Sequence, residues 1–75
     1  MNHYMNEKIK TRMYTIMKAK GVTSSQVCRL LNMDYPNWVA VMDGRCPIYN
    51  KQQRKIAEML GVDRDVLFRE FVEVR

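Results

Sequence analysis

Apolar residues recur along most of the chain at the spacing of an α-helix. Met5, Ile9, Met13, Ile16 and Met17 step by four, four, three and one. That spacing lays one apolar stripe along a first helix over about 6–20. Lys8, Lys10, Arg12 and Lys18 fall largely off the stripe. Asn6 is placed to cap the start, and Gly21 suits the left-handed position after the end. Thr23-Ser24-Ser25-Gln26 has the form of a capping box. A short helix follows with Val27, Leu30 and Leu31 inward, and it stops near Asn32, which tolerates positive φ. Asp34 is expected to cap a third helix. Pro36 falls in its first turn, where a missing N–H costs no hydrogen bond. Trp38, Val41 and Met42 form its buried side, and Gly44 ends it.

Beyond a loop at residues 45–49, Asn50 is expected to cap a fourth helix, with Gln53 at the box position. Ile56, Ala57, Met59 and Leu60 make its inner face, and Gly61 ends it. Asp63 caps a fifth helix with Val66, Leu67, Phe71 and Val74 apolar. Residues 68–74 are also β-branched and aromatic enough for a short strand. The expected fold is all-α, with five short helices around one core.

Length limits what such a fold can do. Seventy-five residues make one domain, taken as 1–75. A domain this small buries only about 60% of its unfolded surface and hardly encloses a substrate pocket. The chain has no glycine-rich phosphate loop, and its single His3 has no obvious carboxylate partner. Asp34, Asp63 and Asp65 are more simply helix caps, so the expectation is a protein that is not an enzyme. Cys28 and Cys46 stand eighteen residues apart without partnering ligands. Neither a disulfide scaffold nor a metal is expected, and no cofactor. Cys28 reads as buried and inert, Cys46 as a loop thiol beside Arg45. No apolar run approaches the ~20 residues of a membrane span, and no signal peptide is visible. A reducing cytoplasm is the expected location.

Charge changes the picture more. Thirteen Lys and Arg against eight Asp and Glu give +5. Residues 1–33 hold six bases and one acid, residues 34–62 four bases and three acids, and residues 63–75 three bases and four acids. A surplus confined to the first part suits a polyanionic partner.

The stretch from Ser24 to Asp43 then carries the function. It holds a short helix, a turn of about three residues and a second short helix. Cys28 supplies a small residue for the crossing, Asn32 a permissive backbone, and Val27, Leu31, Met33, Trp38 and Val41 apolar contacts. Lys20-Gly21-Val22-Thr23, Val27 to Met33, Asp43-Gly44-Arg45, Lys55 to Val62 and Asp65 to Phe68 stand in order. Together they resemble the Cro/phage-repressor (XRE-type) helix-turn-helix family over about 9–70. Three positions depart from its habits: Asn32 stands where Gly is usual, Ser24 where Gln is common, and Met17 where Arg is frequent.

The resemblance implies a five-helix, phage-repressor-like domain that binds double-stranded DNA and regulates transcription. Its setting would be a phage, mobile element or bacterial operon. The third helix would enter the major groove, with Tyr35, Asn37, Val39 and Ala40 as candidate base contacts. Ser24, Ser25, Arg29, Arg45, Tyr49 and Lys51 are the candidate phosphate contacts. Phe68, Phe71, Val72 and Val74 are candidates for a homodimer interface. The third helix has no outward Arg, Lys or Gln, the usual base readers. Its Asp43 would repel phosphate, and is expected to pair with Arg45 or to meet a cytosine amine. The alternative is therefore a protein-binding module, or an antitoxin, that kept the fold with weak base readout.

Overall fold

The computed structural model describes residues 3–71. They form five α-helices: α1 (Glu7–Lys20), α2 (Ser24–Leu31), α3 (Tyr35–Met42), α4 (Asn50–Leu60) and α5 (Arg64–Leu67). A 3-10 turn, Arg69–Phe71, follows. No strand occurs among the described residues. One isolated antiparallel bridge joins His3 to Ile48.

The helices begin where side chains satisfy their first amides. Asn6 Oδ1 accepts from Ile9 N–H at 2.9 Å, and Asp63 Oδ1 accepts from Asp65 N–H at 2.9 Å. Thr23 and Gln26 close the expected box reciprocally, at 3.2 and 2.8 Å. At α4 the cap lies one residue earlier than the sequence suggests, and only one arm of a box forms. Tyr49 is the cap residue, and its N–H donates to Gln52 Oε1 at 2.9 Å. Gln53 is fully buried instead. Its amide donates to the Ile48 carbonyl at 2.9 Å, and its Oε1 accepts from Arg64 Nε at 2.9 Å. Arg64 also reaches Asn50 Oδ1 at 2.9 Å. Burying a polar side chain costs free energy unless it is hydrogen-bonded, and these partners hold Gln53 inward and away from any capping role.

The first four helices end alike. A left-handed residue (Gly21, Asn32, Gly44 or Gly61) donates back three residues, and the next residue donates back five. This is the Schellman arrangement, and it satisfies carbonyls a helix end otherwise leaves open. After Gly21, Asn32 and Gly61 the next residue is apolar: Val22, Met33 and Val62 pack against the core. After Gly44 it is Arg45.

Helix α4 holds the bundle together, touching α1, α2 and α5, whereas α3 packs mainly on α2. The core runs from Ile9, Met13 and Met17 through Trp38 and Ile48 to Ile56, Leu60, Leu67 and Phe68. Cys28 is buried as expected, and burial, with the charge of Asp34, pushes its thiol pKa up. Leu30, Met59 and Val66 are exposed rather than inward. Leu30 and Met59 lie roughly 100° around their helices from the centre of the buried arc. Val66 sits on a single turn whose inner side Leu67 and Phe68 already fill.

The C-terminal end differs most from expectation. Instead of a long fifth helix, α5 stops after one turn, and residues 68–71 of the possible strand form a turn and the 3-10 segment. Phe68, a candidate dimer residue, is fully buried within its own domain. Phe71 stacks on it at 5.6 Å and on His3 at 4.5 Å. Phe68 therefore offers no open face, while Phe71 is only partly buried against the core. Val72 and Val74 lie outside the described residues. Arg12 of α1 grips this end: it donates to both Glu70 carboxylate oxygens, at 2.7 and 2.6 Å, and to the Leu67 carbonyl at 2.8 Å. His3 is tied in as well, its carbonyl accepting from Ile48 N–H at 2.8 Å.

Two stability predictions follow from these contacts. A Cβ on Gly44 would lie 2.8 Å from the Met5 carbonyl oxygen, whereas one on Gly21 would meet nothing within 4 Å. Both positions have positive φ, at +78° and +70°. Gly21→Ala should therefore cost about 1 kcal/mol from backbone strain alone. Gly44→Ala should cost roughly 2 kcal/mol or more, because the N-terminal segment must also move. Urea unfolding compares the two. The second concerns acid. The Arg12 guanidinium holds the Glu70 carboxyl at about 2, against an ordinary 4.5. A depressed folded value stabilises the protein above pH 4.5 and is lost as pH falls towards 2. Glu70→Gln should lower stability by about 1 kcal/mol at neutral pH, and by progressively less through that window. Urea midpoints of both proteins across the acid range check this.

Candidate nucleic-acid interface

The candidate surface is built on α2, α3 and the loop after α3. Its geometry starts at the turn between the two helices. Asn32 takes the left-handed conformation, φ 53° and ψ 50°. Its N–H donates to the Arg29 carbonyl at 3.3 Å, and that of Met33 to the Cys28 carbonyl at 2.9 Å. Three residues, Asn32 to Asp34, therefore separate α2 from α3. Asp34 occupies the cap position of α3, but its side chain makes no cap hydrogen bond. A cap oxygen usually accepts from the second or third helical amide, and Pro36 at the second position has none.

Helix α3 is anchored by Trp38, Val41 and Met42, all buried. The indole ring is 1% exposed, which makes Trp38 a core residue and not a stacking platform. On the other side Tyr35, 56% exposed, and Asn37 face solvent. Val39 and Ala40 are only half-exposed. The Ala40 carbonyl accepts from both Arg45 N–H at 2.9 Å and Cys46 N–H at 3.3 Å, so the loop folds back at this end. Asn37 lines a shallow groove with Met33, Cys46, Pro47 and Tyr49. One base-contact candidate and one phosphate candidate, Asn37 and Tyr49, are thus brought together. Lys51, exposed, is the second residue of α4, two positions after Tyr49.

The α2 candidates are spread along that helix. Ser24 and Ser25 open it, and Arg29, exposed, lies in its last turn. Ser25 and Arg29, four residues apart, share one face of the helix.

Arg45 holds a distinctive place. It follows the left-handed Gly44, where the other three helices present an apolar residue to the core, yet its side chain is 67% exposed. It donates to Asp43 Oδ2 at 3.4 Å, the pairing expected from sequence. A second cation meets the same carboxylate: Lys10 of α1, whose Nζ donates to Asp43 Oδ1 at 3.2 Å. The hydrogen bond to Asp43 raises the Lys10 pKa above its ordinary value. Nothing in the sequence singles out Lys10 among the bases of α1. It becomes a member of this surface only because α1 passes the end of α3.

No group of three or more His, Cys, Asp or Glu side chains gathers as a metal site among the described residues. No family model, curated protein or solved structure matches this chain.

The turn supplies a test of its own. Asn32→Gly should leave stability unchanged or raise it, since Gly takes the left-handed conformation without strain. Asn32→Val should lower it by ~1 kcal/mol or more. Equal urea midpoints for the two variants would show that the turn does not constrain residue 32.

Proposed function

We propose that this chain is a double-stranded DNA-binding transcriptional regulator with a phage-repressor-like helix-turn-helix. The observation that carries the proposal is the presentation of α3. A three-residue turn through left-handed Asn32 and a buried Trp38 fix the helix, while Tyr35 and Asn37 face outward and Arg45 follows its end. Eight residues of helix span about 12 Å, and a helix fits the major groove of B-DNA. In this reading α3 enters that groove. Asn37 pairs with adenine through its amide, Tyr35 meets a base or a phosphate, and Val39 and Ala40 allow close approach to thymine methyls. Arg45, Tyr49 and Lys51 take phosphates on one side of α3, while Ser24, Ser25 and Arg29 take them from α2. Catalysis and cofactors have no part in this role. No helix among the described residues is long and apolar enough to cross a membrane.

A second reading is a protein-binding module with little base readout. The acid at the end of α3 favours it, as does the shallow groove where exposed Leu30 and Met59 meet beside Lys55 and Glu58.

Fluorescence anisotropy on duplexes, at several salt concentrations, separates the two. Arg45→Ala and Lys51→Ala should weaken binding to all sequences alike and make the log–log salt slope shallower by roughly one unit each. Asn37→Ala should cost ~1–3 kcal/mol on a duplex selected for tight binding and little on random sequence. If the wild-type chain binds no duplex near ~50 mM salt, where phosphate contacts are strong, the protein-binding reading replaces this one.

A further inference from the structure

Two cations from different elements converge on one carboxylate at the end of α3. Lys10 Nζ lies 3.2 Å from one Asp43 oxygen, and an Arg45 guanidinium nitrogen lies 3.4 Å from the other. We propose that Lys10 and Arg45 form a site for a phosphodiester oxyanion, and that Asp43 occupies it as an internal competitor until nucleic acid displaces it. The inference rests on the DNA-binding reading and assigns a regulatory role to one part of that surface.

The requirements of the fold do not account for this cluster. A helix C-terminus carries partial negative charge, so an acid there is unfavourably placed. Asp43 stands at that end of α3. Arg45 stands where α1, α2 and α4 each use an apolar residue to close the helix against the core. Lys10 lies off the buried stripe of α1. None of the three side chains is buried; they are 30, 41 and 67% exposed for Lys10, Asp43 and Arg45. A ligand therefore reaches them without unfolding anything.

The chemistry of exchange is simple. A carboxylate and a phosphodiester are both oxyanions that accept charge-assisted hydrogen bonds from ammonium and guanidinium groups at similar distances. When a backbone phosphate enters, the two cations change partner and Asp43 turns to solvent. No covalent bond forms or breaks. Asp43 reduces the charge the protein offers to any duplex, so it weakens the sequence-independent part of binding at every site. That leaves contacts such as those of Asn37 to decide where the protein rests.

The test is binding of Asp43→Asn to a mixed-sequence duplex across a salt series, beside the wild-type chain. The variant should bind roughly tenfold tighter near 50 mM salt. Asp43→Ser should behave alike, so the result does not hang on one substitution, and circular dichroism melts verify that both fold. Adding Lys10→Gln or Arg45→Gln to Asp43→Asn should abolish most of the gain. Unchanged or weaker binding by both Asp43 variants, with a wild-type chain that binds, overturns the competitor role and leaves the DNA-binding reading standing. If no variant binds any duplex, the DNA-binding reading fails and this site falls with it.

Discussion

Four times in its first 61 residues the chain ends a helix by passing one residue through the left-handed region. The rest of the structure depends on that repeated reversal. Helices of eight to fourteen residues cannot stand alone in water, and their stability comes from packing against neighbours. Packing in turn requires sharp returns. Each return satisfies two carbonyls and, in three cases, drives the next side chain into the core. The chain has only three glycines, and all three serve this purpose. Asn32 serves at the fourth, between the two helices of the candidate interface.

The closures that finish the domain are polar. Gln53 and Arg64 join the start of α4 to α5, and Arg12 holds Glu70 and the Leu67 carbonyl. They act beside the apolar contacts of Phe68 and Phe71, because α5 itself contributes only a single turn. Charge-assisted hydrogen bonds with two-point geometry supply the missing specificity of placement.

Much of the fold was legible because its signals are local. The caps at Asn6, Thr23 and Asp63, the left-handed ends and the inward faces of α1 and α3 each arise within a few residues. Failures occurred where distant residues decide. Gln53 looked like a capping residue until Ile48 and Arg64 claimed it. Phe68 looked like interface surface because nothing local shows that a one-turn helix needs it inside. Leu30 and Met59 are apolar at plausible spacing, but at the edge of the arc, where spacing alone does not separate buried from bare. In the candidate site, the exposure of Tyr35 and Asn37 followed from helical period and the burial of Trp38. The convergence of Lys10 on Asp43 did not, since 33 residues separate the pair.

The short bridge between His3 and Ile48 has a mechanical consequence. It lies across the base of the loop that carries Arg45, while the Met5 carbonyl lies where a side chain on Gly44 would otherwise stand. The segment is braced from below by main chain instead of hanging free between two helices. Any partner that meets it encounters a surface whose backbone shape was set during folding.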